Sequence, residues 1–485
     1  MYMYSETKNR GDHGDSLTDT SGVAQIEQES RDFSHGRFNN GYLLALDVGT
    51  GKTLTSIAIM GALWRHRGVR RALIVAPSTV CSVWPKELEK FAGFPTACLN
   101  LVGGSKQKKL RDLEKFLRTA DGNALSVVVL NYQSVFRDGI EEALEDYDAP
   151  LVILDECHYV KTHTAKVSKA MYRIGDRADY RLALTGTPIT NTVADVYGQM
   201  RFVDKDVFGV NFYAFRNRYC VMGGYMAKQI TGTKNEREMT DKLQNCSIMI
   251  KKRDCLDLPE ETFETRYVQL SDAEAQVYRD IQTMSLAELE QGEVTAPLVI
   301  TKMLRLQQVT GGFVRLDGEE HDTQVGHSKL DALQEILEEI CVRNGRKLVV
   351  FARFTAEMDA IENLVKQMKL GYGRLSGNVK QEDRGGIIDR FQTDTACPVI
   401  LCQTATANAG ITLHAASEAV FFSRDFNYGY YVQALARIHR VGQRFPCTYI
   451  HLIAEGTIDE YIDEALGNKE SLVADMSTNW RRFFE

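Results

Sequence analysis

Three small groups of residues in this sequence are suited to chemistry. The first is Asp47-Val-Gly-Thr-Gly-Lys-Thr53. An apolar run, Tyr42-Leu-Leu-Ala-Leu46, precedes it, and a helix-like segment, Leu54 to Trp64, follows. A glycine loop between strand and helix suits a phosphate. Gly49 and Gly51 let the backbone curl close to an anion and turn its N–H groups inward. Lys52 can reach the outer phosphates of ATP, and the Thr53 hydroxyl can ligate Mg²⁺. Gly49, Thr50, Gly51, Lys52, Thr53 and Leu54 are therefore the candidate nucleotide contacts. The plainer alternative is a tight strand–helix turn without a ligand, and the Lys-Thr pair with correct flanks argues against it.

The second group ends another apolar run, Leu151-Val-Ile-Leu154, in Asp155-Glu156-Cys157-His158. Two adjacent carboxylates at the end of a buried strand are costly unless a cation meets them. Mg²⁺ is the natural partner, held by Asp155 opposite Thr53. Glu156 would orient and deprotonate the water that attacks the γ-phosphate. A solvated acidic turn is the alternative. Downstream, Leu184-Thr-Gly-Thr-Pro188 ends a further strand in small hydroxyl residues that can sense whether the Asp155 loop is engaged. His158, Thr185 and Thr187 are read as coupling residues.

The third group is Gln433-Ala-Leu-Ala-Arg437-Ile-His-Arg440-Val-Gly-Gln443. Gln433, Arg437 and Arg440 are spaced i, i+4 and i+7, which one helix would place on one face. Two arginines aimed together suit the charge that develops on a triphosphate. They lie far from Asp155, so they belong to a second lobe, and ATP would sit in a cleft between lobes. The alternative is a basic helix face paired with Asp459, Glu460 or Glu464.

The elements that must position these groups are legible as short, nearly continuous apolar runs, as expected of strands covered on both faces. In the first half they fall at Leu43–Leu46, Ala72–Ala76, Ser126–Leu130, Leu151–Asp155 and Arg181–Thr185. In the second half they fall at Leu348–Phe351, Val399–Cys402, Ala419–Ser423 and Tyr449–Ile453. Helical stretches between them make βαβ units and an α/β doubly wound parallel sheet in each half. The expected organisation is a flexible arm over 1–24 and a first lobe over 25–255 with a helical insertion near 190–250. A helical insertion and hinge over 256–327 then lead to a second lobe over 328–485 that ends in a helix.

The chain has 485 residues, too many for one core. No run of about 18 apolar residues suggests a membrane span, and the N-terminus lacks the apolar core of a signal peptide. Ten scattered cysteines without a Cys-x-x-Cys pair point to reduced thiols in a cytosolic protein. The net charge of −7 means that a nucleic acid would need a local basic surface. Arg65-His66-Arg67 with Arg70-Arg71, Lys106 to Arg111, and Lys251-Lys252-Arg253 are the candidates, and each taken alone reads first as a solvated helix face.

Together these groups resemble the superfamily-two helicase-like ATPases of the Swi/Snf type, over about residues 25 to 475. DVGTGKT resembles the family's Walker A motif and Asp155 to His158 its Walker B box. Leu73-Ile-Val-Ala-Pro77-Ser78, with Val83-Trp84 and Glu87, resembles the motif that touches the DNA backbone. Met249 to Asp254 with Leu258-Pro259 is similar to the junction between lobes, and Lys347 to Asp359 to the first motif of the second lobe. Thr404-Ala-Thr-Ala-Asn-Ala-Gly410-Ile-Thr412 resembles the motif whose amides contact the tracking strand. Arg437-Ile-His-Arg-Val-Gly-Gln443 is close to the family's most distinctive tag.

The resemblance implies two RecA-like lobes and a Mg²⁺- and ATP-dependent motor that tracks on double-stranded DNA, forked or branched DNA included, as a monomer. It implies DNA contacts at Pro77, Ser78, Tyr132, Thr404 and Thr412, although for Tyr132 and Phe351 a buried core aromatic is the commoner case. It adds Gly410 and Gln433 to the nucleotide contacts, with Gln28 as the adenine-reading glutamine and Gln25 as its fallback. The small space left for accessory domains points to a compact bacterial or bacteriophage member in the cytoplasm. Two other functions share the same active site. One is a strand-separating or fork-remodelling helicase, and the other is an ATP-gated protein-binding switch that does not translocate.

Overall fold

The computed structural model describes residues 41–467, apart from 48, 79, 120, 187, 189–191, 224–228, 292–295, 316–321 and 407–410. The expected arm over 1–24, Gln25, Gln28, Thr187 and Gly410 lie outside the described residues.

Two all-parallel sheets organise the chain. The first is built from β1 (Gly41–Leu46), β2 (Arg71–Ala76), β3 (Thr96–Asn100), β4 (Leu125–Asn131), β5 (Leu151–Asp155), β6 (Tyr180–Thr185) and, beyond a hairpin of β7 (Cys220–Gly223) and β8 (Gln229–Thr233), β9 (Ser247–Ile250). Its order is β3-β4-β2-β5-β6-β1-β9. The second is built from β10 (Glu261–Val268) and, beyond a small pair of β11 (Phe313–Val314) and β12 (Thr323–Gln324), β13 (Leu348–Ala352), β14 (Tyr372–Leu375), β15 (Val399–Gln403), β16 (Glu418–Phe421) and β17 (Cys447–Ala454). Its order is β10-β17-β16-β13-β15-β14. This is the mixed α/β, two-lobed fold that the strand runs predict.

The strand sequences explain the layering. Along β1, Leu43 and Ala45 enter one apolar core while Tyr42, Leu44 and Leu46 enter the other. Successive side chains of a strand point to opposite faces, so a strand apolar at every position is sandwiched between helices. The second sheet divides in the same way, with Val350 on one face and Val349 and Phe351 on the other.

All nine strands read from the sequence are present, and within the two large sheets the four that sequence reading missed are β3, β9, β10 and β14. These are the edge strands of the two sheets. An edge strand is covered on fewer sides and carries polar residues: β10 is Glu-Thr-Phe-Glu-Thr-Arg-Tyr-Val, and six of its eight residues are exposed.

Two expected segments differ from their sequence reading. The 190–250 insertion contains helices but also the β7–β8 hairpin and β9, which pairs with β1. The 256–327 segment, expected as a helical insertion and hinge, opens with β10 on the second sheet. Its helices Asp272–Gln291 and Ala296–Thr310 share an apolar core with helix Ile458–Gly467. The glycine pair at 311–312 is closely packed. A Cβ on Gly311 would lie 2.2 Å from Glu357 Oε1, and one on Gly312 2.5 Å from the Gly326 carbonyl oxygen. These glycines serve close approach, which is the other use of a residue without a Cβ. Among the described residues no helix is long and apolar enough to cross a membrane, and the ten cysteines are free thiols, most of them buried.

Candidate active site

In both sheets the candidate residues gather at the carboxyl ends of parallel strands, where open α/β sheets bind ligands. β1 leads into Asp47 and the glycine loop. Gly49 and Gly51 have φ of 92° and 94°, a region open to glycine at little cost. The helix Lys52–Arg67 begins directly after Gly51, with no side-chain cap and no acidic residue in its first turn. Its first N–H groups are thus left for an anion, at the positive end of the helix dipole. Thr50 Oγ1 donates to the Asp47 carbonyl at 2.8 Å and fixes the turn, while Lys52 Nζ donates to the Leu46 carbonyl at 2.8 Å. Thr53 is half-buried in the first helical turn and Leu54 is exposed beside it.

Asp155 closes β5 and is buried. The buried indole of Trp84 donates to its Oδ2 at 3.0 Å. Burial, then the neighbouring Glu156, raises the Asp155 pKa to about 6 against the pull of Lys52 and Trp84. Such a carboxylate gains from a cation brought beside it. Glu156 has φ 55° and ψ 56°, a left-handed conformation uncommon outside glycine and typical of functional turns. Burial opposes its ionisation, but His158, Lys52 and Arg437 together hold its carboxyl below the usual range. His158 Nδ1 lies 3.3 Å from Glu156 Oε2 without the alignment of a hydrogen bond.

The third group arrives from the second lobe. The helix holding Gln433 spans Tyr428–Leu435 and stops before either arginine, so the expected single helical face is not formed. The Arg437 carbonyl accepts from the Leu413 N–H at 2.9 Å instead of from the helical ladder. Gly442, at φ 101°, then turns the chain against His414. The arginines still converge, because both guanidinium groups donate to the Ile411 carbonyl. Arg437 is near enough to Glu156 for their charges to interact, and a Cβ on Gly49 would lie 3.9 Å from Arg440 Cβ. Two of the acids named as alternative partners of the arginines are otherwise engaged. Asp459 pairs with Lys329 at 2.5 Å, and Glu460 accepts from Gly456 N–H.

Among the described residues, six buried polar atoms around this junction lack a hydrogen-bond partner: Thr55 Oγ1, Glu156 Oε2, His158 Nδ1, Gln433 Oε1, Arg437 Nε and His439 Nδ1. Buried polar atoms are normally satisfied. A cluster of unsatisfied donors and acceptors on both lobes fits a polar substrate with water and Mg²⁺.

The nucleic-acid candidates fare unevenly. Ser78 follows Pro77 after β2 and accepts from Asn131 Nδ2 at 2.9 Å. Tyr132 is 1% exposed, stacks on Tyr159 and donates to the Asp155 carbonyl at 2.9 Å, so it supports the acidic turn from beneath and is not placed to touch a nucleic acid. Thr404 is likewise buried, donating to the Ala352 carbonyl, and Phe351 is core. Both lie at or beside ends of covered central strands, which explains their burial. Thr412 is half-buried and Thr185 is buried in β6. Among the basic stretches, Lys109 is buried on Ser134 Oγ and Lys252 bridges the lobes, while Arg65 to Arg67 are exposed. Sequence reasoning missed the Trp84–Asp155 contact, which spans 71 residues and has no local signature.

Comparison with known proteins accords with this geometry. Residues 2–311 match the SNF2-related domain, and residues 328–442 match the helicase conserved C-terminal domain. The chain belongs to the SNF2-related family of helicase-like ATPases. It is 27% identical to a DNA repair and recombination protein RAD54-like of Drosophila persimilis, over 92% of this chain and 61% of the relative. It is 26% identical to that of Drosophila ananassae, over 91% and 60%. The chain thus spans about three fifths of the length of these curated relatives. A solved SWI2/SNF2 ATPase core of Sulfolobus solfataricus, described in complex with dsDNA, is 24% identical over 94% of this chain and 92% of that one, with a TM-score of 0.43. The family match places the glycine loop and acidic turn in the SNF2-related part and the arginine turn in the helicase C-terminal part.

Proposed function

We propose that this protein hydrolyses ATP to drive translocation on double-stranded DNA. The observation that carries the reading is the junction itself. The phosphate loop and acidic turn of one lobe meet two converging arginines of the other, with unsatisfied buried polar atoms on both sides. Family membership supports ATP as the substrate.

In this account the loop amides from Gly49 to Lys52 and the Lys52 ammonium hold the triphosphate. Thr53 and Asp155 would hold Mg²⁺, which would neutralise charge on the phosphates. Glu156 accepts the proton of the attacking water. Arg437 and Arg440 leave the Ile411 carbonyl to stabilise charge that develops on the transferred phosphoryl group. Gln433 lines the arginine side, and His158 and Thr185 relay the state of the acidic turn. Substrate thereby draws the lobes together, and hydrolysis lets them part. Pro77, Ser78 and Thr412 contact the DNA backbone, so binding weakens steeply with salt and shows little sequence preference. One chain works as a monomer in the cytoplasm.

The test is steady-state ATP hydrolysis with no nucleic acid, single-stranded DNA, plain duplex, forked DNA and RNA, using Lys52→Ala as the blank. Strong stimulation by plain duplex is expected. Stimulation by single strands or forks alone would favour a strand-separating enzyme, and indifference to all of them would favour an ATP-gated protein switch.

A further inference from the structure

The segment joining the two sheets carries an arrangement that phosphate binding does not require. Lys252 follows β9. Its backbone N–H donates to Asp47 Oδ2 at 2.9 Å, and its ammonium donates to the His439 carbonyl at 2.8 Å. Asp47 opens the glycine loop, and its own N–H donates to the Ile250 carbonyl at 3.0 Å. His439 stands between Arg437 and Arg440. A single linker residue therefore holds the phosphate loop with its main chain and the arginine turn with its side chain.

The same linker grips His439 once more. The imidazole Nε2 lies 2.8 Å from the Pro259 carbonyl oxygen, and Nδ1 lies 3.0 Å from Glu261 Oε1 without the alignment of a hydrogen bond. Beside this bridge opens a cavity of about 640 Å³ lined by Asp47, Lys252, Glu261, Tyr428 and His439 among others. Lys252 lines that cavity, and two hydrogen bonds fix it. Burial, reinforced by Arg437 and Arg440, lowers the proton affinity of Lys252, while Glu261 and Asp47 oppose that shift.

We propose that Lys252 is a positioning residue that sets the arginine turn against the phosphate loop, so that the lobes close on ATP with Arg437 and Arg440 in register. This rests on the ATPase reading above and adds to it how the two halves of the site are aligned. The charge-assisted bond from the ammonium to the His439 carbonyl is the device. It reports any shift of the arginine turn directly to the residue that anchors Asp47.

Lys252→Met tests this, because methionine keeps the backbone N–H to Asp47 and removes the ammonium. Loss of one charge-assisted hydrogen bond that matters only at closure should lower kcat about ten-fold, with KM for ATP within about two-fold of wild type. Lys252→Arg, which can still donate to the carbonyl, should recover most of the turnover. Lys252→Gln serves if the methionine variant folds poorly. Unchanged kcat in both neutral variants would overturn the proposal. So would a fall in kcat that arginine does not rescue, or a rise in KM alone. Lys52→Ala in parallel separates the two claims: turnover surviving there would overturn the ATPase reading itself.

Discussion

Arg437 and Arg440 share one acceptor, the Ile411 carbonyl oxygen, at 3.4 and 3.2 Å. Two like charges on one neutral oxygen are poorly compensated. Burial, and then Arg440, lower the Arg437 pKa to about 10 against the opposing pull of Glu156. An anionic substrate in the junction would relieve both. Arg440→Ala should therefore bind ATP nearly as wild type but hydrolyse it roughly 10³-fold more slowly, the lower range for a removed arginine finger. Nucleotide binding by equilibrium fluorescence beside steady-state turnover checks this, and lost binding would make the arginine a structural residue.

Glu156 is held ionised in a left-handed turn with Oε2 unsatisfied. Glu156→Gln keeps the shape and removes the base. It should retain ATP binding and lose turnover by about 10²–10⁴-fold. Single-turnover kinetics would show the loss in the chemical step, and a normal rate there would exclude Glu156 as the base.

The indole of Trp84 donates to Asp155 Oδ2 and orients that carboxylate. Trp84→Phe fills most of the space and removes the donor. Supporting groups around a metal ligand matter at roughly 10–100-fold in metal affinity or activity. The Mg²⁺ concentration for half-maximal turnover should therefore rise by roughly ten-fold. A Mg²⁺ titration identical to wild type would mean that the bond serves only to satisfy a buried carboxylate.

His451 on β17 gives a pH prediction outside the site. Burial, then Arg424, depresses its pKa to about 3 from an ordinary 6.5. The folded protein holds it neutral while the unfolded chain protonates below 6.5. Its stability contribution is full above that pH and is lost progressively as pH falls toward 3. The loss should be roughly 2 kcal/mol between about pH 6.5 and 5. Denaturant titrations of wild type and His451→Phe at both pH values check it, with a smaller acid loss expected in the variant.

Much of this was legible in the sequence, for physical reasons. The glycine loop, the acidic turn after β5 and the interior strands are local patterns: Gly49 and Gly51 need positive φ, and β5 is apolar at Leu151 to Leu154. Edge strands such as β10 lack that signature because water covers part of them. The i, i+4, i+7 spacing of Gln433, Arg437 and Arg440 suggested convergence on a helix, and of the three the two arginines converge. The convergence comes instead from a turn held by Leu413 and Ile411. Tyr132 shows another limit: a tyrosine at a strand end is more often core than a contact, and its bond to the Asp155 carbonyl decides for core. Lys252, Trp84 and His439 act through partners far away in sequence, which no local pattern carries.

The central claim is movement along duplex DNA powered by this junction, and a triplex-displacement assay tests it most directly. A labelled third strand is annealed to a plain duplex, and its release is followed with ATP for wild type and Lys52→Ala. The account predicts ATP-dependent release by wild type, none by Lys52→Ala, and an underlying duplex left paired. Duplex-stimulated hydrolysis without release of the third strand would contradict it and leave an ATPase that closes on DNA without travelling.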